Sequence, residues 1–382
     1  MKILLYSYAF LPSLGGIEIV SATLADHFVK LGHAVTVVTE TTSTLSDNYP
    51  YKIIRQPSAM KRIALVRAHD IVHANGASMA LFFYAKLLGK PFLWTHGGYQ
   101  LSCVDGLGWV DGEPAPLTPL RSIQFHYRRS GLKFAIVQGF KLYLRRFAGS
   151  FASANVAITK WVAMRQPLPN QVVIYNPFPL EQFYNISRSD EKTYDFIYVG
   201  RLVSEKGVPD LIKAFATLKK TDTNIHSKLA LVGDGNWRER LELLSKELKV
   251  ENDITFFGKK SGEELHKIIA QATIAIVPSV WEEPMGGVAL ELMAAGKNMI
   301  VTRHGGLYEC AGEAALVYDN GNSAQLANCM HQLLNDATLR TQQLQALERQ
   351  LLQFNPHELA IQYTDLYKKI ISKEPILQKH TA

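Results

Sequence analysis

The sequence has only three cysteines, and no two of them are close together. Cys103, Cys310 and Cys329 form no Cys-x-x-Cys pair and stand beside no paired histidines, which argues against a disulfide framework and against a zinc site. No apolar run reaches the ~18 residues that cross a membrane, and the first residues lack the pattern of a signal peptide. These absences predict a reducing, cytoplasmic setting.

Three nucleotide-binding motifs are missing as well. The chain has no G-x-G-x-x-G after a strand, no P-loop and no Asp-x-Asp, so nicotinamide chemistry lacks support and a divalent metal has no evident holder. We therefore expect neither a metal nor a cofactor.

Acidic residues are absent from Pro114 to Leu180, whereas the whole chain has a net charge of +7. Residues 1–180 contain 18 basic and 8 acidic residues, a net charge of +10, and residues 181–382 contain 23 and 26, a net charge of −3. The basic residues of the acid-free segment are Arg121, Arg128, Arg129, Lys133, Lys141, Arg145, Arg146, Lys160 and Arg165. Such a field attracts phosphate, whether in lipid headgroups, a phosphorylated substrate or nucleic acid.

Short apolar runs alternate with helical stretches along the whole chain, which indicates parallel sheets wound on both faces. The length of 382 residues favours more than one domain. The predicted strands are 2–6, 34–39, 71–74, 91–95, 155–159 and 172–175, and then 195–199, 228–232, 253–257, 273–277, 298–302 and 314–318. The predicted helices include 17–31, 336–354 and 357–372. We expect domains at 1–178 and 194–356, joined by a polar linker at 179–193.

Two carboxylates follow the strand at 273–277. Glu283 lies on the loop and Glu291, eight positions later, about two turns into a helix. Both can line one pocket at the carboxyl end of a strand, where open α/β sheets bind ligands. The bare backbone of Gly286 and Gly287 allows a ligand to approach closely. The pattern suits a polyhydroxylated ligand; the alternative is two solvated acids at a helix end.

Two cations follow the strand at 195–199. Arg201 and Lys206 stand five positions apart between Gly200 and Gly207, and they can converge on one diphosphate, the arginine as a fork and the lysine as a point charge. Solvated loop charges are the alternative.

Three further positions follow strands of the first half. Gly15 and Gly16 precede the first helix and leave its N–H groups open to an anion, although a plain tight turn would have the same sequence. His96, followed by two glycines, is placed for ligand contact, whereas His73 fits a core histidine equally well.

Together these residues resemble glycosyltransferase family 4, the retaining nucleotide-sugar transferases of GT-B fold. Residues 278–298 are similar to the family's Glu-x7-Glu stretch, and 304–309 to the Gly-Gly-x-x-Glu that follows it. The other similar positions are Gly15-Gly16-Ile-Glu18, Gly200-Arg201, Lys206-Gly207, Val232-Gly233-Asp-Gly235 and Phe257-Gly258. The resemblance covers nearly the whole chain. It implies two Rossmann-like doubly wound domains that face a central cleft, with a C-terminal helix at about 357–373 packing back on the first.

The resemblance also implies roles for the residues around the donor sugar. Glu291 would bind the ribose of the nucleotide, and Glu283, with the backbone of Met285–Gly287, would bind the sugar hydroxyls. His96 would lie near the transferred sugar. We also expect Glu283, more than Glu291, to be exposed to the donor sugar.

Arg201 and Lys206, together with Gly15 and Gly16, would hold the diphosphate. The family is thought to react by front-face displacement, in which the departing phosphate takes the proton of the acceptor, so no protein base is required. The chemistry then rests on stabilising the leaving group, a role that suits fixed positive charges.

The sequence departs from the family pattern at four places. Met285 replaces the usual phenylalanine, Leu292 an alanine and Asn298 a proline, and Tyr175-Asn-Pro-Phe stands where Pro-Asn-Gly-x-Asp is typical. These departures indicate a change in the fit of the donor sugar.

The resulting prediction is a metal-independent, retaining transferase of a hexose-type sugar. The donor would be a nucleoside-diphosphate sugar, with UDP the commoner family choice, and the acceptor a glycan or lipid-linked acceptor of cell-surface polysaccharide or glycolipid synthesis. Rival interpretations are a sugar-nucleotide epimerase, another enzyme of the same fold, and a noncatalytic protein that binds nucleic acid through its basic surface; no nucleic-acid motif supports the last.

The basic segment leads to a second hypothesis. Residues 121–147 would lie on an anionic membrane surface, because aromatic residues interleave with the cations there. Those residues are Phe125, Tyr127, Phe134, Phe140, Tyr143 and Phe147. A solvated basic face around the acceptor is the alternative.

Overall fold

The structure is a computed structural model that describes residues 1–13, 15–44, 47–184, 186, 193–221 and 226–376. The chain divides into two compact units. The first comprises Met1–Val110, Ala115–Pro179 and the chain from Phe354 onward, and the second comprises Asp111–Pro114 and Leu180–Gln353. Within the segment predicted as a linker, a short helix at Glu181–Tyr184 groups with the second unit, and residues 185 and 187–192 lie outside the described residues.

The strands follow the apolar runs of the sequence closely. They are β1 (Lys2–Ser7), β2 (Ala34–Thr39), β3 (Lys52–Arg55), β4 (Ile71–Asn75), β5 (Phe92–His96), β6 (Trp109–Val110), β7 (Glu113–Pro114), β8 (Ala154–Ala157), β9 (Gln171–Val173), β10 (Tyr194–Val199), β11 (Leu229–Val232), β12 (Ile254–Gly258), β13 (Ala272–Val277), β14 (Asn298–Thr302) and β15 (Ala315–Tyr318).

The helices fill the stretches between these strands. They are α1 (Gly16–Lys30), α2 (Ala59–Ala68), α3 (Met79–Leu87), α4 (Pro119–Ser150), α5 (Lys160–Arg165), α6 (Glu181–Tyr184), α7 (Val208–Thr221), α8 (Arg238–Glu247), α9 (Gly262–Ala270), α10 (Gly287–Ala294), α11 (Gly306–Ala311), α12 (Ser323–Asn335), α13 (Ala337–Leu351) and α14 (Pro356–Ser372). None of the helices formed by the described residues is long and apolar enough to span a membrane.

Each unit contains one parallel sheet. The strand order is β3-β2-β1-β4-β5-β8-β9 in the first unit and β12-β11-β10-β13-β14-β15 in the second. In both sheets the second and third strands lie on one side of the first strand, and the later strands lie on its other side. The helical crossovers of such a sheet lie on both of its faces, so the predicted fold class of two doubly wound α/β sheets is confirmed.

The last helix, α14, packs within the first unit. Asn355 caps its start by accepting hydrogen bonds from the N–H groups of His357 and Glu358, and Pro356 occupies the first turn. Tyr363 and Tyr367 are fully buried, and their rings contact the ring of Phe28 in α1. The chain after the second unit therefore completes the core of the first.

His73 belongs to this core. Its Nδ1 lies 2.6 Å from the hydroxyl of Tyr367 and its Nε2 lies 2.8 Å from Oγ1 of Thr95, which in turn lies 3.2 Å from the hydroxyl of Tyr363. Burial lowers the pKa of His73 to about 3, so the ring is neutral. The core interpretation of this histidine is the one that the structure supports.

Candidate functional site

The second unit places two loops side by side where its strand order reverses. β10 and β13 are neighbours, and they lead to residues 200–207 and 278–286, respectively. Ligands of open α/β sheets bind at such a switch point, beyond the carboxyl ends of the strands. The topology therefore brings together the two motifs that the sequence singled out.

Glycine allows these two loops to touch. A Cβ on Gly207, which has a φ of 66°, would lie 1.9 Å from the carbonyl oxygen of Pro278. The N–H of Val280 donates to the carbonyl of Glu205 across the same contact, at 3.0 Å. Any side chain at Gly207 would push the loops apart, in addition to the strain of its left-handed backbone.

An ion pair joins the two loops at their centre. Nζ of Lys206 lies 2.7 Å from Oε1 of Glu283, and the hydroxyl of Ser279 donates to Oε2 at 2.5 Å. The side chains of Lys206 and Glu283 are only 15% and 10% exposed. The Trp281 ring lies below the ammonium, with 5.7 Å between Nζ and the ring centroid. Both oxygens of Glu283 are therefore held in fixed positions.

The backbone of Glu283 is fixed from a third loop, the one after β14. The N–H of Gly306 donates to the Glu283 carbonyl at 2.7 Å. A Cβ on Gly305, which has a φ of 121°, would lie 2.8 Å from the backbone N and O of Glu283. Gly305 is thus required for close packing against Glu283.

Asn320, which follows β15, ties these loops together. Its amide nitrogen lies 3.1 Å from the carbonyl oxygen of Ser279 and 3.3 Å from that of His304, and its Oδ1 accepts from the N–H of His304 at 3.0 Å. Sequence reasoning missed Asn320 and did not assign Trp281 a role. The only available signal for Asn320 was its position two residues after the last strand.

Glu291 lies in the second turn of α10, and its surroundings differ from those of Glu283. Burial raises the pKa of its carboxyl from 4.5 to about 7, since desolvation disfavours the charged form. Glu283 is buried from solvent, whereas Glu291 is partly exposed. Lys206 and Ser279 cover the Glu283 carboxylate.

Arg201 lies at the edge of the site. Its side chain is 69% exposed and pairs with Glu205 at 3.2 Å, while Lys206 pairs with Glu283. The backbone at Arg201 is more constrained, because its carbonyl accepts the Tyr198 hydroxyl at 2.7 Å. The two cations thus contact different carboxylates, and Arg201 can move without breaking a buried contact.

In the first unit, His96 ends β5 and is 1% exposed. Both amide hydrogens of Asn155 are directed to carbonyls, those of Gly149 and Pro169, so its Oδ1 accepts from Nε2 of His96 at 2.9 Å. Burial lowers the pKa of His96 to about 4. The ring is therefore neutral near pH 7, and its Nδ1 is an acceptor.

The Gly15-Gly16 turn begins α1, and Gly15 is in an extended conformation. A Cβ on Gly16 would have open space around it, while one on Gly15 would lie 2.5 Å from the carboxylate of Glu18. Glu18 is buried and accepts from the hydroxyl of Ser13 at 3.1 Å. A carboxylate therefore already lies at this helix N-terminus, and it would have to move for a phosphate to bind there.

Among the described residues, no group of three or more His, Cys, Asp or Glu side chains could hold a metal ion.

Two family models cover most of the chain. The model for glycosyl transferases group 1 matches residues 181–349, and the model for Glycosyltransferase Family 4 matches residues 14–182. The chain is 38% identical to MJ1607, an uncharacterised glycosyltransferase of Methanocaldococcus jannaschii, over 337 residues. These residues cover 81% of this chain and 82% of that protein. The chain belongs to glycosyltransferase family 4. The resemblance found in the sequence is thereby confirmed.

Other relatives of this glycosyltransferase have assigned activities or solved structures. It is 31% identical to the N-acetyl-alpha-D-glucosaminyl L-malate synthase of Bacillus anthracis over 195 residues, which are 50% of this chain and 49% of that one. The structure of Anabaena Alr3699/HepE with UDP-glucose matches with a TM-score of 0.71 and 19% identity, over 97% of this chain and 100% of that one. Together with the two parallel sheets, this likeness confirms the predicted GT-B fold.

Proposed function

We propose that this glycosyltransferase moves a hexose-type sugar from a nucleoside-diphosphate sugar, UDP-linked in the first instance, to a glycan or lipid-linked acceptor, with retention and without a metal. Cell-surface polysaccharide or glycolipid synthesis is the setting that fits such an acceptor. The contact between Lys206 and Glu283 at the switch point carries this proposal, because it places a cation beside a fixed acceptor of hydroxyl hydrogen bonds.

Glu283 is suited to orient the sugar. Lys206 and Ser279 each use one lone pair of its carboxylate, and the remaining lone pairs can accept from sugar hydroxyls. Charge-assisted bonds of this kind are about twice as strong as neutral ones. The Gly286 backbone packs closely on Leu307, which keeps the start of α10 fixed beside the sugar.

Lys206 is suited to stabilise the departing diphosphate. Its ammonium has three donors, of which Glu283 takes one and the phosphate oxygens could take the others. A fixed cation needs no reorganisation as charge develops on the leaving group. Arg201, whose side chain is exposed, would add a second charge when the donor binds.

Glu291 is suited to the ribose. Its carboxyl is costly to ionise without a ligand, and two hydrogen bonds from a diol would lower that cost. UDP as the nucleotide is supported by the HepE structure, in which that protein is in complex with UDP-glucose.

The residues of the first unit have smaller roles in this proposal. The neutral His96 would offer a backbone carbonyl or its Nδ1 to the sugar, and a phosphate would reach Gly15 and Gly16 only if Glu18 turned away. We therefore assign neutralisation of the diphosphate mainly to Lys206 and Arg201.

The experiment is a thermal-shift screen of UDP, GDP and ADP and their sugars. A ligand at 100 times its dissociation constant stabilises the native state by ~2.7 kcal/mol, so a true donor is recognised by a clear shift. Absence of a shift with every nucleotide sugar would contradict the proposal.

Turnover of the donor found in this way then tests the chemistry. NMR of the product gives the anomeric configuration, and retention is expected. A chelator should leave the rate unchanged. Release of free nucleoside diphosphate only when acceptor is present distinguishes a transferase from an epimerase, which releases none.

A further inference from the structure

Helix α4 of the first unit is a helical hairpin. Gly131 interrupts it with a φ of 83° and a ψ of 173°, and the arms at 119–130 and 132–150 fold back on each other. A Cβ on Gly139 would lie 3.1 Å from Ile123, although 16 residues of straight helix would span about 24 Å. This break was not predicted from the sequence.

Small residues hold the second arm against the rest of the unit. Ala135, Gly139, Ala148 and Gly149 are buried, and a Cβ on Gly149 would lie 2.6 Å from Leu101. This arm is therefore an integral part of the unit, and its outer face has a fixed direction.

The outer face of the second arm is apolar. Its large side chains recur at intervals of three or four residues, which places them on one side of a helix. They are between 47% and 68% exposed, and the rings of the last two contact each other at 4.7 Å. We call this set the outer face: Leu132, Ile136, Phe140, Tyr143, Phe147 and Phe151.

Only part of the aromatic set predicted for membrane contact lies on this face. Phe125 is partly buried against the Arg129 guanidinium, and Phe134 contacts the His126 ring between the two arms. The predicted residues Phe140, Tyr143 and Phe147 belong to the outer face, while Leu132, Ile136 and Phe151 on it were not predicted.

The charged residues of α4 are all basic. Lys133 and Lys141 on the same arm are exposed, as are Arg121 and Arg128 on the other. Residues 71–110 and 115–179 of this unit contain a single acid, Asp105. Its carboxylate accepts hydrogen bonds from backbone N–H groups of the turn that follows it and faces the ring of His126. No carboxylate of these segments can therefore repel a negatively charged surface.

We propose that the outer face of α4 docks on an anionic membrane surface, with its aromatic and aliphatic side chains at the level of the headgroups and its cations paired with lipid phosphates. An apolar face flanked by cations is the pattern of interfacial helices, and juxtamembrane cations attract anionic lipid. A protein partner or a second copy of this chain would cover the apolar side chains without requiring the absence of acids.

The test is cosedimentation of the full chain with vesicles of phosphatidylcholine alone and of equal parts phosphatidylcholine and phosphatidylglycerol. We expect binding to the mixed vesicles that weakens with salt, and little binding to the neutral ones. F140S/F147S should lower the partition coefficient tenfold or more, in proportion to the lost apolar area. K133Q/K141Q should lower it roughly 30-fold.

Matched controls lie in α2 and β3 of the same unit. Met60→Ser removes a more exposed apolar side chain, and K52Q/K61Q removes two exposed charges; neither should change vesicle binding. Equal binding of wild type to both kinds of vesicle, or to neither, would overturn the proposal. The proposal would also be overturned if F140S/F147S bound the vesicles as well as wild type does. A wild-type protein that is a dimer and becomes a monomer in this variant would overturn it too.

The vesicle assay measures no turnover. Its outcome is therefore independent of the proposed donor chemistry.

Discussion

Replacing Glu291 with glutamine should stabilise the protein when no donor is bound. The pKa of Glu291 rises from 4.5 in the unfolded chain to about 7 in the folded one, so above pH 4.5 the folded state holds a proton that the unfolded state releases. The wild type consequently loses stability as the pH rises from 4.5 to 7, and the loss levels off above 7. Glutamine has no proton to release, and so removes this penalty.

The magnitude follows from the two pKa values. The penalty is about 1.4 kcal/mol at pH 5.5 and about 3 kcal/mol at pH 7. These are upper values, because Glu291 is partly exposed to water. At roughly 2–4 °C per kcal/mol, the Gln variant should melt about 5–10 °C above wild type at pH 7.5 and at the same temperature at pH 4.5.

The assay is thermal unfolding of both proteins at several pH values, without nucleotide. Glu247→Gln, at an exposed position in α8 of the same unit, controls for the loss of one negative charge. A difference between Glu291→Gln and wild type that is constant from pH 4.5 to 8 would refute the reasoning.

Three further predictions concern other parts of the chain. Gly207→Ala should cost clearly more unfolding free energy than Gly262→Ala, which has a similar φ of 54° but open space around its Cβ; equal costs in denaturant titration would show that the contact with the neighbouring loop is unimportant. Trp281→Leu should weaken donor binding severalfold in calorimetry by removing the ring below Lys206, and unchanged affinity would exclude that role. Lowering the pH from 6.5 to 4 should destabilise wild type more than His96→Gln, because over this range the buried His96 stays neutral in the folded state but is protonated in the unfolded chain. Melting temperatures that fall equally with pH in both proteins would contradict this.

Much of the fold could be predicted from the sequence because parallel strands buried on both faces are continuous apolar runs. The predicted ranges 34–39 and 298–302 coincide with β2 and β14. β3 was missed, since Lys52–Arg55 places two apolar residues between two charges at the edge of the sheet. Such a short run has no distinct period.

The site could be predicted as a set of loops but not as a set of contacts. Strand-end positions marked Lys206 and Glu283 separately, yet they are 77 residues apart in the chain, and only the neighbouring positions of β10 and β13 bring them together. Side-chain packing determines that Arg201 pairs with Glu205. It also determines that Glu283 and Glu291 differ in burial. No local sequence pattern predicts either result.

Lys206 is proposed to recognise and stabilise the diphosphate. Calorimetric titration of UDP and UMP against wild type and Lys206→Met tests this role most directly, because the two ligands differ only in the terminal phosphate. A charge-assisted bond contributes about 1.5–3 kcal/mol, so the preference of wild type for UDP over UMP should fall roughly 10- to 100-fold in the variant, with UMP affinity little changed. A variant that keeps the wild-type preference for UDP would show that Lys206 does not bind the diphosphate.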